Sequence, residues 1–326
     1  MADIDWRNQT TVIEFILLGF GKLPDIQILL FLLFLVIYIT TVATNTLIVV
    51  LVVTDRHLHT PMYFLLGNLS SLETCYASTI LPRMLASLLT GDRTISLTAC
   101  FTQYFFFAFL AATECHLLAV MSYDRYLAIC KPLHYSTLMS TKLCLQLAAG
   151  SWLNGCLAIT IFVLFLSQLI FCGPNKIDHF YCDIIPMLEL SCSDTHLVIL
   201  MDFILACEVT LLPFLLTLTS YVYIITTILR IPSATGRQRA FSTCSSHLIV
   251  VTVFYGTIMI VYLLPKQESL REMNKVFSLC YTVLTPLLNP LIYSLRNREV
   301  KEALSKAISK CGFHKTMQRL QANNLT

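Results

Sequence analysis

The sequence runs to 326 residues, of which 56% are hydrophobic and only 13% charged, with a net charge of +3. A soluble globular chain carries about 25% charged residues, so a water-soluble domain is excluded. A net charge this small is a loop bias and not a nucleic-acid footprint, so nucleic acid is not expected as a partner.

Residues 1–25 precede the first apolar window and read as an extracellular N-terminus. They begin with Asp3 and Asp5 and lack a basic start followed by an apolar run, so they do not read as a cleaved signal. Asn8-Gln9-Thr10 is an N-glycosylation sequon with Asn8 as acceptor.

Seven windows with little or no charge follow. Ile26 to Thr54 has none, His57 to Pro82 has Glu73 and Thr94 to Tyr123 has Glu114. Leu143 to Asn175 has none, and Thr195 to Leu229 has Asp202 and Glu208. Ala240 to Pro265 and Val276 to Leu295 have none. A helix needs about 20 residues to cross about 30 Å of hydrocarbon. The expected fold is therefore an all-α membrane protein, a seven-transmembrane helix bundle over residues 26–295. Fourteen of the 22 Lys and Arg residues fall on one side of that topology, which makes that side cytoplasmic and leaves the N-terminus outside.

Within the spans, ionisable residues are expensive and mark sites. Glu73 and Glu114 are expected to face the bundle interior, with Asn45 and Asn289 completing a polar cluster. Two readings stand side by side: a sodium or proton site that biases a conformational equilibrium, or a hydrogen-bonded pair of structural acids with one protonated. No other cofactor is implied. Asp202 is expected to reach the headgroups and Glu208 to face a neighbouring helix; the alternative, an anchor for a cationic ligand, is weakened because residues six apart point to different faces of a helix.

At the cytoplasmic end of the third window lies Asp124-Arg125-Tyr126. An acid and a base adjacent at a bilayer edge are costly to desolvate, and the carboxylate can hold the guanidinium until a switch releases it. Asn289-Pro290-Leu291-Ile292-Tyr293 puts a kink, a freed carbonyl and a hydroxyl near the same end of the seventh window.

Cys100, Cys172, Cys182 and Cys192 fall at the outer edge, where oxidation is permitted, and allow three pairings. A Cys100–Cys182 bond would pin the long loop across the bundle mouth, leaving Cys172 with Cys192 to close a smaller loop. No metal site is expected. His179, Cys182 and Asp183 cluster, as do Cys115 and His116, but neither group has a second ligand arm. Beyond the last window, residues 296–326 read as a short cytoplasmic amphipathic helix on the inner leaflet followed by a tail. Starting from Leu295 just before it, Val300, Ala303, Leu304, Ala307 and Ile308 recur at helical spacing. Cys311 is a candidate for palmitoylation.

Several segments together resemble the odorant receptor family of rhodopsin-like G-protein-coupled receptors. They are Leu17-Leu18-Gly19-Phe20, Pro61-Met62-Tyr63-Phe64-Leu65-Leu66, Met121 to Cys130, Ser220-Tyr221, Ala240 to Leu248, Phe254-Tyr255-Gly256 and Pro286 to Asn297. The sixth-span Phe-Tyr-Gly is the most specific of them. Thr44, Glu73 and Arg239 depart from the family's usual Gly, Asp and Lys.

The resemblance implies a small, mostly hydrophobic volatile ligand in the outer half of the bundle. Its walls would be Phe107, Ala108, Ala111 and Ala112 on the third span. Leu205, Ala206 and Val209 on the fifth and Tyr255, Ile258, Met259 and Tyr262 on the sixth would complete them. It also supports the Cys100–Cys182 pairing. Activation is expected to free Arg125 from Asp124 toward a heterotrimeric G protein of the stimulatory olfactory type, raising cyclic AMP, with Tyr126, Tyr221, Asn289, Pro290 and Tyr293 in the switch. The expected location is the plasma membrane, multi-pass, with the C-terminus cytoplasmic. A non-olfactory rhodopsin-like receptor and a membrane transporter are the alternatives. Phe254-Tyr255-Gly256 weighs against the first, and the lack of internal repeats or a polar path against the second. No nucleophile and base share a site, so an enzyme is not expected.

Overall fold

The computed structural model describes residues 12–21, 24–172, 174–263, 271–296, 299–307 and 309. Asn8 and Cys311 lie outside the described residues.

The first long helix, α1, spans Gln27–Thr54. Its side chains are apolar on nearly every face, and Leu29, Leu32, Leu33, Val36 and Ile39 are all half or more exposed. Such a surface is unstable in water and suits hydrocarbon. The same holds for α4 (Thr141–Leu166) and α5 (His196–Leu229), while the equally apolar α3 (Leu97–Cys130) is largely buried within the bundle. Next come α6 (Ala234–Leu263) and α7, which covers residues 271–296.

Six of these helices are long and apolar enough to cross a bilayer. The remaining long helix, α2 (Pro61–Thr90), is the most polar of the early ones, carrying Asn68, Ser70, Ser71, Glu73, Thr74, Ser78 and Thr79. It nevertheless packs in the bundle between α1 and α3. Its Leu65, Leu66, Leu69, Leu72, Tyr76, Ile80 and Leu81 are almost wholly buried.

Helix ends follow local chemistry. Ser96 and Ser140 accept from Ala99 N and Leu143 N as N-caps of α3 and α4. Pro61 begins α2, and Gly91, at φ +75°, ends it in the left-handed region. Two of the helices are not regular throughout. A π-helical turn at Cys207–Leu211 interrupts α5, and another at Cys280–Leu284 interrupts α7. Each inserts an extra residue and rotates the remainder of its helix.

The outer face holds structure that the sequence reading left as loop. Glu14–Leu17 forms β1, which pairs antiparallel with β2 (Thr94–Ser96) and parallel with β3 (Lys176–Ile177). The register sets Phe15 opposite Ile95 and Leu17 opposite Ile177. Phe15, Ile95 and Ile177 are buried on the core side, and Phe15 meets Phe171 edge-on at 5.4 Å. After β1 the chain turns at Gly19 (φ +61°) and Gly21 (φ +83°), and Arg93 donates to the carbonyls of Leu18 and Gly21. Phe20 then stacks on Phe34 of α1 and Phe180 of the outer loop. The Leu-Leu-Gly-Phe segment is therefore a clasp joining the N-terminal residues to the bundle mouth.

Disulfides Cys100–Cys182 and Cys172–Cys192 fasten the outer loop. The Cys182 N–H donates to Gln103 Oε1 at 3.0 Å, a second link from that loop to α3. At the other end residues 299–307 are helical. Val300 and Ala303 are buried against the core, while Glu299, Lys301, Glu302, Ser305 and Lys306 are exposed.

Candidate ligand pocket and cytoplasmic switch

Beneath the outer loop the bundle is apolar. Phe107, Ala112, Val209, Tyr255 and Ile258 belong to one buried cluster, with Ala108, Ala111, Leu205 and Tyr262 packed against it. Ala206 and Met259 are half-buried and lie outside that cluster. Ala206 sits immediately before the π-helical turn of α5, where straight helical phasing fails.

Polar groups converge at the roof of this region. The Tyr262 hydroxyl donates to Asp183 Oδ1 at 3.1 Å and lies 3.1 Å from the Tyr281 hydroxyl, which is 2.7 Å from that of Tyr181. Phe107 sits 4.8 Å from the Tyr181 ring and 6.2 Å from that of Tyr281. The floor is Tyr255, whose hydroxyl donates to the Cys115 carbonyl at 2.7 Å and so ties α6 to α3. Phe214 of α5 packs on it at 5.5 Å. The arrangement offers apolar walls and a few hydroxyls, with a carboxylate only at the roof. Such a site suits a hydrophobic molecule with one polar group. Asp183, Tyr181 and Tyr281 were not anticipated from the sequence. Asp183 lies in a loop with no periodic signal, and Tyr281 follows a π-helical start that offsets its face.

The outer loop also buries His179 between Phe180 and Tyr181, with ring centroids 4.6 and 4.4 Å away. Burial pushes its imidazole pKa down to about 3, and the nearby Lys275 ammonium pushes the same way. Lys275 is itself held by Asp178 at 2.7 Å.

At mid-depth Glu73 and Glu114 are both fully buried and interact directly. Asn289 Nδ2 donates to Glu73 Oε1. Among the described residues neither oxygen of Glu114 has a hydrogen-bond donor. Asn45 Nδ2 instead reaches the carbonyls of Thr41 and Pro286, both at 3.0 Å. The predicted polar cluster is thus split. Asn289 serves Glu73, while Asn45 serves the backbone of α7. Thr44 turns its hydroxyl back onto the Thr40 carbonyl at 2.7 Å within its own helix.

At the end of the bundle opposite the three strands, Arg125 Nη2 lies 2.8 Å and Nε 3.2 Å from Asp124 Oδ2. Asp124 is fully buried, and the Arg125 side chain is 14% exposed. The other carboxylate oxygen accepts from the Tyr135 hydroxyl at 2.7 Å. Tyr135 begins a one-turn helix, Tyr135–Leu138, in the loop between α3 and α4. Burial and this bond to a carboxylate both raise its phenol pKa. Opposite, the Tyr221 hydroxyl of α5 is 2.7 Å from His247 Nδ1 of α6. Arg125 lies within electrostatic reach of Tyr221, Cys244, His247 and Tyr293. The Tyr293 hydroxyl has no partner among the described residues. Tyr126 packs against the buried group of Tyr221, Ile224, Ile228 and Cys244, with the Tyr123 and Tyr223 rings at 6.3 and 5.8 Å and Lys131 over its own ring. Neither Tyr135 nor His247 was placed in this cluster from the sequence. A histidine one helical turn beyond Thr243-Cys244 was a readable signal, whereas Tyr135 had none.

Residues 34–311 match a family model described as olfactory receptor. Olfactory receptor 6B1 of Homo sapiens is 52% identical over 303 residues, covering 93% of this chain and 97% of its own. Olfactory receptor 6N1 of Homo sapiens is 49% identical over 310 residues, covering 95% and 99%. Olfactory receptor 10C1 of Homo sapiens is 53% identical over 303 residues, covering 93% and 97%. These relatives are receptors and not enzymes. With its apolar helices this chain is a multi-pass membrane protein, and it belongs to the olfactory receptor family.

Proposed function

We propose that the chain is an odorant receptor that binds a small, mostly hydrophobic volatile molecule between α3, α5 and α6. Binding there would activate a stimulatory, olfactory-type G protein that raises cyclic AMP. In this reading α2 is the seventh crossing, the N-terminus is extracellular, and residues 299–307 lie along the inner leaflet of the plasma membrane. Val300 and Ala303 would then anchor that helix.

The observation that carries the reading is the Tyr255 bond to the Cys115 carbonyl. It links the floor of the apolar region to the middle of α3, two and a half turns above Asp124. A ligand on Tyr255 competes with or strengthens that tie, so it acts on the equilibrium between two arrangements of α6 against α3. When α6 moves, Tyr221 and His247 separate and Arg125 is offered to the G protein. Glu73 and Glu114 then act as a sodium or proton site that favours one arrangement.

The test is a chemically diverse volatile panel applied to cells carrying a cyclic AMP reporter. At least one compound is expected to give a saturable response that Arg125→Ala abolishes at equal surface level. An Arg125→Ala receptor that responds like the parent refutes the mechanism. A sodium-independent activation midpoint in membranes refutes the sodium role.

A further inference from the structure

Away from that pocket, a groove of about 690 Å³ runs down the outside of the bundle between α3, α4 and α5. That is within the roughly 300–1,000 Å³ of small-molecule sites. Its rim residues Leu212, Leu216 and Tyr223 are each more than half exposed on the lipid-facing surface, so the groove opens sideways into the bilayer. It extends from His116 to Tyr126 along α3, about 15 Å at 1.5 Å per residue.

The deep end of the groove holds a carboxylate. Glu208 lies in the π-helical turn of α5, far from either end of a 34-residue span, and its side chain is 41% exposed. Asn154 Nδ2 donates to Glu208 Oε1 at 2.7 Å and lies 3.1 Å from His116 Nε2. An amide nitrogen only donates, so His116 Nε2 is the acceptor there. His116 Nδ1 lies 2.7 Å from the Ala112 carbonyl, which only accepts, so the imidazole proton sits on Nδ1. His116 Nε2 also approaches Glu208 Oε1 to 3.5 Å. Among the described residues Asn154 is the one hydrogen-bond donor to this carboxylate. A part-exposed acid facing hydrocarbon, held by one amide donor with an imidazole at 3.5 Å, favours a partner that brings a proton or a positive charge.

We propose that this groove is a second, membrane-accessible site for a small hydrophobic amine, its nitrogen on Glu208 and its apolar body along the groove toward Tyr126 and Tyr223. The amine and the carboxyl carry one proton between them, so the pair is neutral overall wherever that proton sits and forms inside the bilayer. Entry is from the lipid and does not pass the disulfide-fastened mouth.

The test uses the full-length receptor in phosphatidylcholine nanodiscs and an aryl-diazirine alkylamine as photoprobe, with the matching alcohol and carboxylic acid as controls. The amine is expected to label peptides spanning 116–126 and 208–223 saturably, and the two controls are not. Glu208→Gln is expected to cut that labelling at least fivefold. Gly150→Phe fills the groove from α4, where a Cβ would meet nothing within 4 Å, and is expected to do the same with the carboxylate intact. Labelling that survives both substitutions overturns the proposal, as does equal labelling by all three head groups or labelling confined to peptides around Phe107 and Tyr262. A receptor active toward its odorant in both variants separates this outcome from failure of the odorant pocket.

Discussion

Asn45 Nδ2 lies 3.0 Å from the carbonyl oxygen of Pro286, the carbonyl that Pro290 leaves without its helical partner. Proline has no N–H, so the acceptor four residues before it is orphaned. An amide from α1, 241 residues away in sequence, supplies the missing donor. Removing it leaves a buried carbonyl unsatisfied, which costs about 1–3 kcal/mol. Asn45→Ala is expected to lower the unfolding temperature of the purified receptor by several degrees. In a Pro290→Ala background the helix regains its own N–H, so the same substitution should cost less. Equal losses in both backgrounds would show that the bond carries no such role.

Tyr135 is expected to restrain the receptor in the absence of ligand. Tyr135→Phe deletes one hydrogen bond to Asp124 and loosens its hold on Arg125. A loss of about 1 kcal/mol corresponds to about a fivefold shift between two states. Ligand-free cyclic AMP should rise by up to that factor at matched surface level. An unchanged baseline would remove Tyr135 from the switch.

Gly155 is required by the approach of α4 to α3. A Cβ there would stand 2.6 Å from Thr113 Oγ1 and 3.1 Å from both the Phe109 carbonyl and the Thr113 nitrogen. Two of these atoms are backbone and cannot swing aside, so Gly155→Ala should cost about 1–3 kcal/mol. Gly150→Ala, five residues earlier in open space, should be neutral or slightly stabilising through helix propensity. Thermal unfolding of the two variants side by side decides the matter, and identical behaviour would contradict the packing described.

His179 makes the outer loop sensitive to acid. Its folded pKa of about 3 is below the unfolded value of 6.5, so the unfolded loop binds the proton more readily. The neutral form's stability is complete above pH 6.5 and is lost as pH falls from there toward 3. By pH 4.5 the loss is on the order of 2–3 kcal/mol. The hydrogen-exchange protection of residues 176–190, taken relative to the intrinsic rate at each pH, should fall on acidification, and His179→Phe should flatten that dependence. An unaltered profile in the variant would locate the sensitivity elsewhere.

The helices were largely legible because lipid demands long apolar runs, and the windows at Ile26 and Thr195 start within one residue of α1 and α5. The ends were less so. Helix α2 continues through Pro82 and Arg83 to Thr90, because a charge no longer interrupts a helix once the chain leaves hydrocarbon. The strand Glu14–Leu17 was hidden, since its partners Thr94–Ser96 and Lys176–Ile177 are too short to carry a pattern of their own. Around the Asp-Arg-Tyr motif the adjacent pair was readable, but the Tyr135 contact depends on how a loop folds back. Glu208 was expected to face a neighbouring helix and does meet Asn154 of α4. That it is also half open to lipid follows from a π-helical turn that no residue pattern announced.

The central position of β1 has a temporal consequence for biogenesis. The Glu14 carbonyl is bonded by the side chain of Asn175, 161 residues further along the chain. At a synthesis rate of about 5–20 residues per second the nascent strand waits roughly 10–30 seconds before that partner is made. During that interval the strand edge is open to any protein that binds exposed strand edges, and such a protein competes directly with closure of this sheet.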